Sequence, residues 1–433
     1  MIAQAGNRRA ARGRGWLPLL AFGIVLTIVL CVVAAIRADP DPDKGTSDFR
    51  DFWLTAEHFR ATGEISSERG VHNYLPFFTI FMVPWSLLPL RVAAAAFTLL
   101  SMALAGITVV LVEVLLNDGL GPRPRKATLA AIGLSGAYVV SCGVLGQVGL
   151  LVLFLVVACW FLVERGREWE AGIPLGLAAA IKLLPLVLIV FFVLKRRWRV
   201  STSAIAVGLV CGLGLPLATL GYSETVRQHR EFDKRAVRGH SARATIHSEK
   251  PRKAKYSNNA LPIVLRRLLS KTDGDPREDR PGVFVNPVHL PSGVIWWTYL
   301  ILMAGILVGS MAAALHGPPQ WPPEDTAGVS LIRGQFAVWC CVMLLATPLL
   351  WTHYLVLAYF SLAWVADRVE RTSRAERRAD RLGLLVLLVW LVGAVCLAWP
   401  AARAAGAQLW SVGCLWGFLV WRVNRSARVG STV

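Results

Sequence analysis

Long apolar runs separated by short charged stretches repeat along the whole chain. The clearest fall at Trp16 to Ile36, Val92 to Leu116, Val148 to Val163, Ser201 to Gly221, Gly293 to Leu315, Leu331 to Leu350, His353 to Ala366, Leu382 to Trp399 and Ala405 to Trp421. A hydrocarbon core about 30 Å thick requires roughly 20 apolar residues per helix, so these runs read as membrane-spanning helices. Gly146-Gln147 divides one further apolar stretch in two. Two segments are irregular: Tyr74 to Pro89 is interrupted by Pro76, Pro84 and Pro89, and Ala171 to Leu194 carries Lys182 and Pro185 at its middle. The pattern predicts an all-α polytopic membrane protein of about 10–13 transmembrane helices, some of them short or re-entrant.

The charged stretches orient this pattern, because Lys and Arg are retained on the cytoplasmic side. Arg8, Arg9, Arg12 and Arg14 precede a first run of signal-peptide character that lacks a convincing small-residue cleavage site. Residues 1–36 therefore read as a cytoplasmic tail and a retained first helix. Residues 37–72 become an extracytoplasmic loop with eight acidic and five basic residues, including Asp39, Asp41, Asp43, Asp48 and Asp51. If Tyr74 to Pro89 crosses the membrane, the clusters Arg123/Arg125/Lys126 and Arg165/Arg167 both lie outside; if it re-enters, both are cytoplasmic, so the re-entrant reading is preferred. Ala171 to Leu194 is bracketed by Arg165/Arg167 and by Lys195, Arg196, Arg197 and Arg199. It reads as a broken pair of short helices, with a polar cavity near Lys182. Residues 73–221 thus hold transmembrane helices, 222–292 an extracytoplasmic basic loop and 293–366 further helices. Residues 367–381, with Arg368, Arg371, Arg374, Arg377, Arg378 and Arg381, form a cytoplasmic loop. Residues 382–433 supply the last two helices and a cytoplasmic tail with Arg422, Arg425 and Arg428.

Composition agrees. Of 433 residues, 55% are apolar and 17% charged, and the mean hydropathy is +0.52. That leaves too little polar surface for a soluble dinucleotide enzyme, a secreted disulfide domain or a disordered tail. The net charge of +19 would suggest nucleic acid in a soluble protein, but here it follows from cytoplasmic loops, and nucleic acid is not an expected partner. All eight cysteines lie in apolar stretches and form no disulfide framework or zinc spacing.

Four places could carry chemistry. In Ser47-Asp48-Phe49-Arg50-Asp51-Phe52-Trp53, a carboxylate at the membrane boundary could take a proton from an incoming hydroxyl; the alternative is a helix N-cap at Ser47 or Asp48. Lys182 lies in an otherwise apolar run and marks either a functional cavity or a chain snorkelling to an interface. His353 could bind phosphate, carry a proton, or be an interfacial residue. Gly146-Gln147 could be a functional break or a plain turn. The loop from Tyr222 to Pro291 carries 15 Lys or Arg against 8 Asp or Glu, a net charge of +7. Its amphipathic segment Tyr256 to Leu269 would lie along the bilayer surface, with Arg266 and Arg267 facing headgroups.

Taken in order, several of these pieces resemble the polyprenyl-phosphate-mannose-dependent mannosyltransferases of the GT-C superfamily. They are Asp48-Phe49-Arg50-Asp51-Phe52-Trp53-Leu54-Thr55-Ala56 with Gly63, Tyr74-Leu75-Pro76 and Pro84; Gly146-Gln147, Ala171-Gly172, Gly176-Leu177-Ala178, Lys182, Pro185 and Lys195 to Arg199; Asn258-Asn259-Ala260-Leu261 with Arg266 and Arg267; and Thr347-Pro348-Leu349-Leu350-Trp351-Thr352-His353. The chain departs from the family at Leu75, Gly149, Asn259-Ala260 and Tyr354.

The resemblance implies a GT-C-type helical bundle. Its implied activity is transfer of a hexose, expected to be mannose, from a polyprenyl-phosphate donor to a lipid or glycan acceptor. The reaction would be inverting and extracytoplasmic, in a plasma membrane, with both chain termini cytoplasmic and no nucleotide, metal or other cofactor. Lipid phosphate is already a good leaving group, so the needs are a base and cations. By the same resemblance Asp48 is the base, with Asp51 its substitute; Lys182, His353 and Arg266 grip the donor phosphate; Tyr74, Gln147 and Asn259 position sugar or acceptor. The rival class is a transporter or flippase of a lipid-linked sugar, which also needs broken helices and a charged cavity but is commonly built from repeats; none is visible here.

Overall fold

The computed structural model describes residues 15–39, 41, 47–65, 73–117, 119–248, 255–275, 282–316, 326–371 and 377–430. Arg8, Arg9, Arg12, Arg14, Asp43 and Arg374 lie outside them. Helices α1 (Leu17–Arg37), α2 (Asp48–Thr62) and α3 (Pro76–Met82, continued by a 3-10 turn Val83–Leu87) are followed by α4 (Leu90–Asn117), α5 (Lys126–Leu145), α6 (Gly149–Glu164), α7 (Glu168–Ile181) and α8 (Leu186–Leu194). Next come α9 (Trp198–Leu209), which passes through a π-turn into α10 (Leu215–Leu220), and α11 (Tyr222–Phe232), α12 (Ala242–Ile246) and α13 (Leu261–Leu269). The chain continues with α14 (Ser292–Leu315), α15 (Thr326–Leu345), a 3-10 turn Thr352–Ala358, α16 (Tyr359–Arg371), α17 (Arg377–Val395), α18 (Pro400–Ala404) and α19 (Ala407–Gly430). Among the described residues the only β pairing is an isolated bridge between Asn258 and Trp351. Among the described residues seven helices are long and apolar enough to cross a membrane: this is a multi-span, helical membrane protein.

Polar contacts gather at two opposite ends. At one, Arg125 pairs with Glu113 (3.1 Å) and with Asp367, which also takes Arg368 and Arg371. Glu164 holds Arg333 at 2.7 Å, and Lys195 donates to the Ala314 carbonyl at 2.9 Å. At the other end Arg91 pairs with Asp39 at 2.9 Å, and the Trp53 indole donates to the Leu88 carbonyl at 3.0 Å. Successive long helices alternate between these ends.

The two irregular segments do not cross. Pro76–Leu87 is about 18 Å long at 1.5 Å per residue, short of the roughly 30 Å hydrocarbon core. Tyr74 at its start touches Phe52, and Leu88 after it is bonded to Trp53, so both flanks return to one turn of α2. The α7–α8 pair behaves likewise from the opposite end: Arg197 beyond α8 reaches Glu168 at the start of α7 at 2.7 Å. Lys182, in extended conformation (φ −149°, ψ 128°), sits in the break between them. Pro185 explains the interruption, since proline lacks the N–H that a continuing helix needs and disfavours helical geometry before it.

Three expectations are corrected. The run Leu331 to Leu350 stops being helical at Leu345, because Thr347-Pro348 breaks it and the Thr347 hydroxyl bonds to Leu349 instead. Ser47 occupies the N-cap position of α2 without capping it; its hydroxyl donates to the Leu145 carbonyl at 3.1 Å. Helix α13 does not lie on a bilayer surface: its apolar residues from Leu261 to Leu265 are buried, as is Arg266, and Arg267 is 0% exposed. The Arg267 guanidinium donates to the Lys255 carbonyl at 3.0 Å and the Arg403 carbonyl at 3.5 Å; carbonyl oxygens satisfy its donors inside the protein.

Candidate active site

The site begins with a turn that only glycine can make. Gly146 ends α5 in the left-handed region (φ +64°), where a side chain is strained. A Cβ there would also come within 2.4 Å of the Phe49 Cβ. This close approach seats the first turn of α2 on the α5–α6 turn, and the next residue, Gln147, donates its amide to the Asp48 carboxylate. Tyr74 donates its hydroxyl to the other side of that amide, Gln147 Oε1, at 3.4 Å. The Tyr74 ring is held by stacking on Phe78 (4.1 Å) and by the edge of Phe52 (5.3 Å).

Burial lifts the Asp48 carboxyl above the ordinary carboxylate range. The Gln147 hydrogen bond opposes that lift, neighbouring Asp51 adds to it, and the charges of Lys182 and Arg37 act against it. Asp51 is different: its side chain is 50% exposed and lies 3.8 Å from Arg50. The structure therefore separates two carboxylates that sequence spacing left equivalent. Asp48 faces inward onto Gln147, and Asp51 faces out.

Lys182 approaches from the opposite side. It is 7% exposed and its ammonium has no hydrogen-bond partner. The nitrogen instead lies over the Tyr354 ring, 3.6 Å from its centroid, and 5.6 Å from that of Tyr74. It is close enough to Asp48 and His353 for its charge to be felt at both. His353 is buried beside Tyr354, with ring centroids 4.8 Å apart. Its carbonyl accepts the Cys142 thiol at 3.3 Å and faces Gly149, where a Cβ would lie 3.2 Å away.

A loop closes against this group. Asn258 Oδ1 accepts from the Leu350 amide (2.9 Å) and the Ala260 amide (3.0 Å), and the Asn259 amide donates to the Leu350 carbonyl at 2.7 Å. Asn259 is 1% exposed, and both polar atoms of its side chain lack partners. A buried amide in that state carries a desolvation cost that a bound ligand would relieve.

Of the residues singled out in the sequence, Asp48, Gln147, Tyr74, Lys182 and His353 form one group, and Asn259 lies on the loop bonded to the segment that leads into His353. Asp51 stands at its edge. Arg266 is not brought to it: its guanidinium donates to the Thr245 carbonyl at 3.1 Å. Sequence reasoning missed Tyr354 and Cys142. Tyr354 had a faint signal as the neighbour of His353, but nothing in a linear pattern pairs it with a lysine on a different helix break.

Together these residues offer a half-buried carboxylate, a buried amine that makes no hydrogen bond, and an amide between them. The chain is 27% identical over 439 residues, covering 94% of this chain and 89% of its relative, to a polyprenol-phosphate-mannose-dependent alpha-(1-2)-phosphatidylinositol mannoside mannosyltransferase of Mycolicibacterium smegmatis. A pentamannoside mannosyltransferase with the same donor dependence, from the same organism, is 36% identical over 153 residues, covering 35% of this chain and 34% of that relative. Among solved structures, ArnT from Cupriavidus metallidurans in the apo state aligns with a TM-score of 0.43 at 14% identity, covering 95% of this chain and 77% of that one. The sequence profile of glycosyltransferase family 87 matches residues 72–317, more than half of the chain. The chain therefore belongs to glycosyltransferase family 87, and is an enzyme of the membrane rather than a transporter.

Proposed function

We propose that this enzyme transfers a mannosyl residue from a polyprenyl-phosphate donor to a phosphatidylinositol-mannoside-type lipid, with Asp48 as the general base. The reading rests on one observation above all: a half-buried, inward-facing carboxylate at Asp48 shares a site with the buried side-chain nitrogen of Lys182, which makes no hydrogen bond. The named substrates of the relatives supply the substrate class.

In the proposed step the acceptor hydroxyl gives its proton to an Asp48 Oδ as its oxygen bonds to C1 of the sugar. The bond from C1 to the phosphate oxygen breaks, and its electron pair leaves with the lipid phosphate. Lys182, with His353 beside it, receives that negative charge. Proton uptake on one side of the sugar and phosphate departure on the other give inversion at C1. Gln147 and Tyr74 hold the Asp48 carboxylate in place, and the unpartnered amide of Asn259 is offered to a sugar or acceptor hydroxyl. Charge stabilisation is assigned to Lys182. The Asp48 end of the bundle is taken as extracytoplasmic and the Arg125–Asp367 end as cytoplasmic, in a plasma membrane, because basic stretches gather at the latter.

Transfer of radiolabelled mannose from polyprenyl-phosphate-mannose, assayed in membranes containing wild type, Asp48→Asn or Asp51→Asn, tests this reading. Asp48→Asn is expected to lower kcat by about 10²–10⁴-fold, and Asp51→Asn to retain most activity. Full activity in Asp48→Asn overturns the base assignment; no transfer by wild type overturns the donor.

A further inference from the structure

Lys182 lies with its side-chain nitrogen against aromatic faces. Its ammonium lies 3.6 Å from the centroid of Tyr354 and 5.6 Å from that of Tyr74, is 7% exposed and makes no hydrogen bond. Among the described residues it forms no ion pair. An ion pair would neutralise the charge and occupy the N–H groups; a ring face favours the cation through its quadrupole and does neither. The Asp48 carboxylate, the nearest candidate for such a pair, is bonded to Gln147 instead. Tyr354 is itself fixed, with His353 against it at 4.8 Å and its backbone amide bonded to the Trp351 carbonyl at 2.9 Å.

We infer that Tyr354 is a positioning residue for the donor. Its ring face holds the Lys182 side-chain nitrogen in place with its N–H groups free, ready for the oxygens of a phosphate diester arriving on the side away from the ring. The ring face acts in this, not the phenol hydroxyl. The inference rests on the phosphate-donor reading given above.

A double-mutant cycle on the donor KM tests it, using the full-length protein in membranes with its content measured by immunoblot and its folding by size exclusion in detergent. Tyr354→Phe keeps the face and is expected to leave the donor KM within about twofold of wild type. Tyr354→Leu removes it and is expected to raise the donor KM about tenfold, with the acceptor KM unchanged. In a Lys182→Met background the Tyr354→Leu change is expected to add nothing further, since the two residues act as one unit. Three results overturn the inference alone: Tyr354→Leu with a wild-type donor KM, Tyr354→Phe as impaired as Tyr354→Leu, or losses that multiply in the double variant. If Lys182→Met itself leaves the donor KM unchanged, the phosphate-donor reading falls, and the inference with it.

Discussion

Gln147 donates its side-chain amide to the carboxylate of Asp48, joining the α5–α6 turn to the first turn of α2. The two residues come from segments separated by the whole of α3, α4 and α5, and Tyr74 completes the link from the other side of the amide. This contact fixes the carboxylate's position and tunes its acidity at the same time.

The acid limb of the rate profile should reflect that tuning. Burial places the Asp48 pKa above the ordinary carboxylate value of about 3.9. A base works only when deprotonated, so kcat/KM is expected to rise with pH through an apparent pKa above that value. Gln147→Ala removes the hydrogen bond that favours the carboxylate, and its acid limb should move to still higher pH. A limb unmoved in Gln147→Ala, measured by mannose transfer across a pH series, contradicts the coupling.

Gly146→Ala should be far more disruptive than a one-methyl change on a surface. The backbone at φ +64° costs an alanine roughly 1–2 kcal/mol, and the new Cβ would overlap the Phe49 side chain at 2.4 Å. A lower thermal unfolding midpoint in detergent, together with loss of most activity, is the expected pair of results. Gly166→Ala is the control: it also has positive φ (+72°), but no atom lies within 4 Å of its Cβ, so the strain alone can be measured there.

At the far end, Asp367 is wholly buried and takes Arg125, Arg368 and Arg371, while Arg125 also reaches the buried Glu113. Removing one partner of a buried network leaves uncompensated charge at a cost of about 3–5 kcal/mol. Arg125→Met is thus expected to lower the melting midpoint in detergent strongly, and the donor and acceptor KM of whatever protein remains folded should stay near wild type. Altered substrate KM values would tie this end to catalysis and refute a purely structural role.

Asn259→Ala offers a direct reading of an unpartnered buried amide. If that amide serves a ligand, the free enzyme loses no hydrogen bond on its removal, and stability should stay within about 0.5 kcal/mol. Sugar or acceptor binding should weaken by about 5–15-fold, the worth of one hydrogen bond. Asn258→Ala should do the reverse, destabilising the loop by removing the acceptor for the Leu350 and Ala260 amides. Equal effects of the two variants on stability would dissolve the distinction.

Much of the frame was readable from the linear pattern. Helix positions follow from apolar runs because a bilayer satisfies no backbone group and imposes a length. The breaks at Pro76 and Pro185 follow from the missing N–H. Arg125 and Asp367, from two of the charged stretches, meet at one end of the bundle. Where the pattern misled, at Tyr256 to Leu269, an amphipathic stripe could face lipid headgroups or protein carbonyls, and periodicity cannot say which.

The sequence by itself determined a helical membrane protein with interrupted segments and a short roster of polar exceptions, because solvent exclusion acts on each segment locally. Only the tertiary structure decided which exceptions meet. Asp48 was separated from Asp51 by the way α2 docks on Gly146, and Arg266 is bonded to the Thr245 carbonyl, away from the Asp48–Lys182 group. Lys182 was joined to Tyr354 because the break between α7 and α8 packs against the 3-10 turn Thr352–Ala358. Hydrogen bonds and cation–ring contacts act over a few ångströms between residues far apart in the chain, and that proximity exists only once the helices have packed.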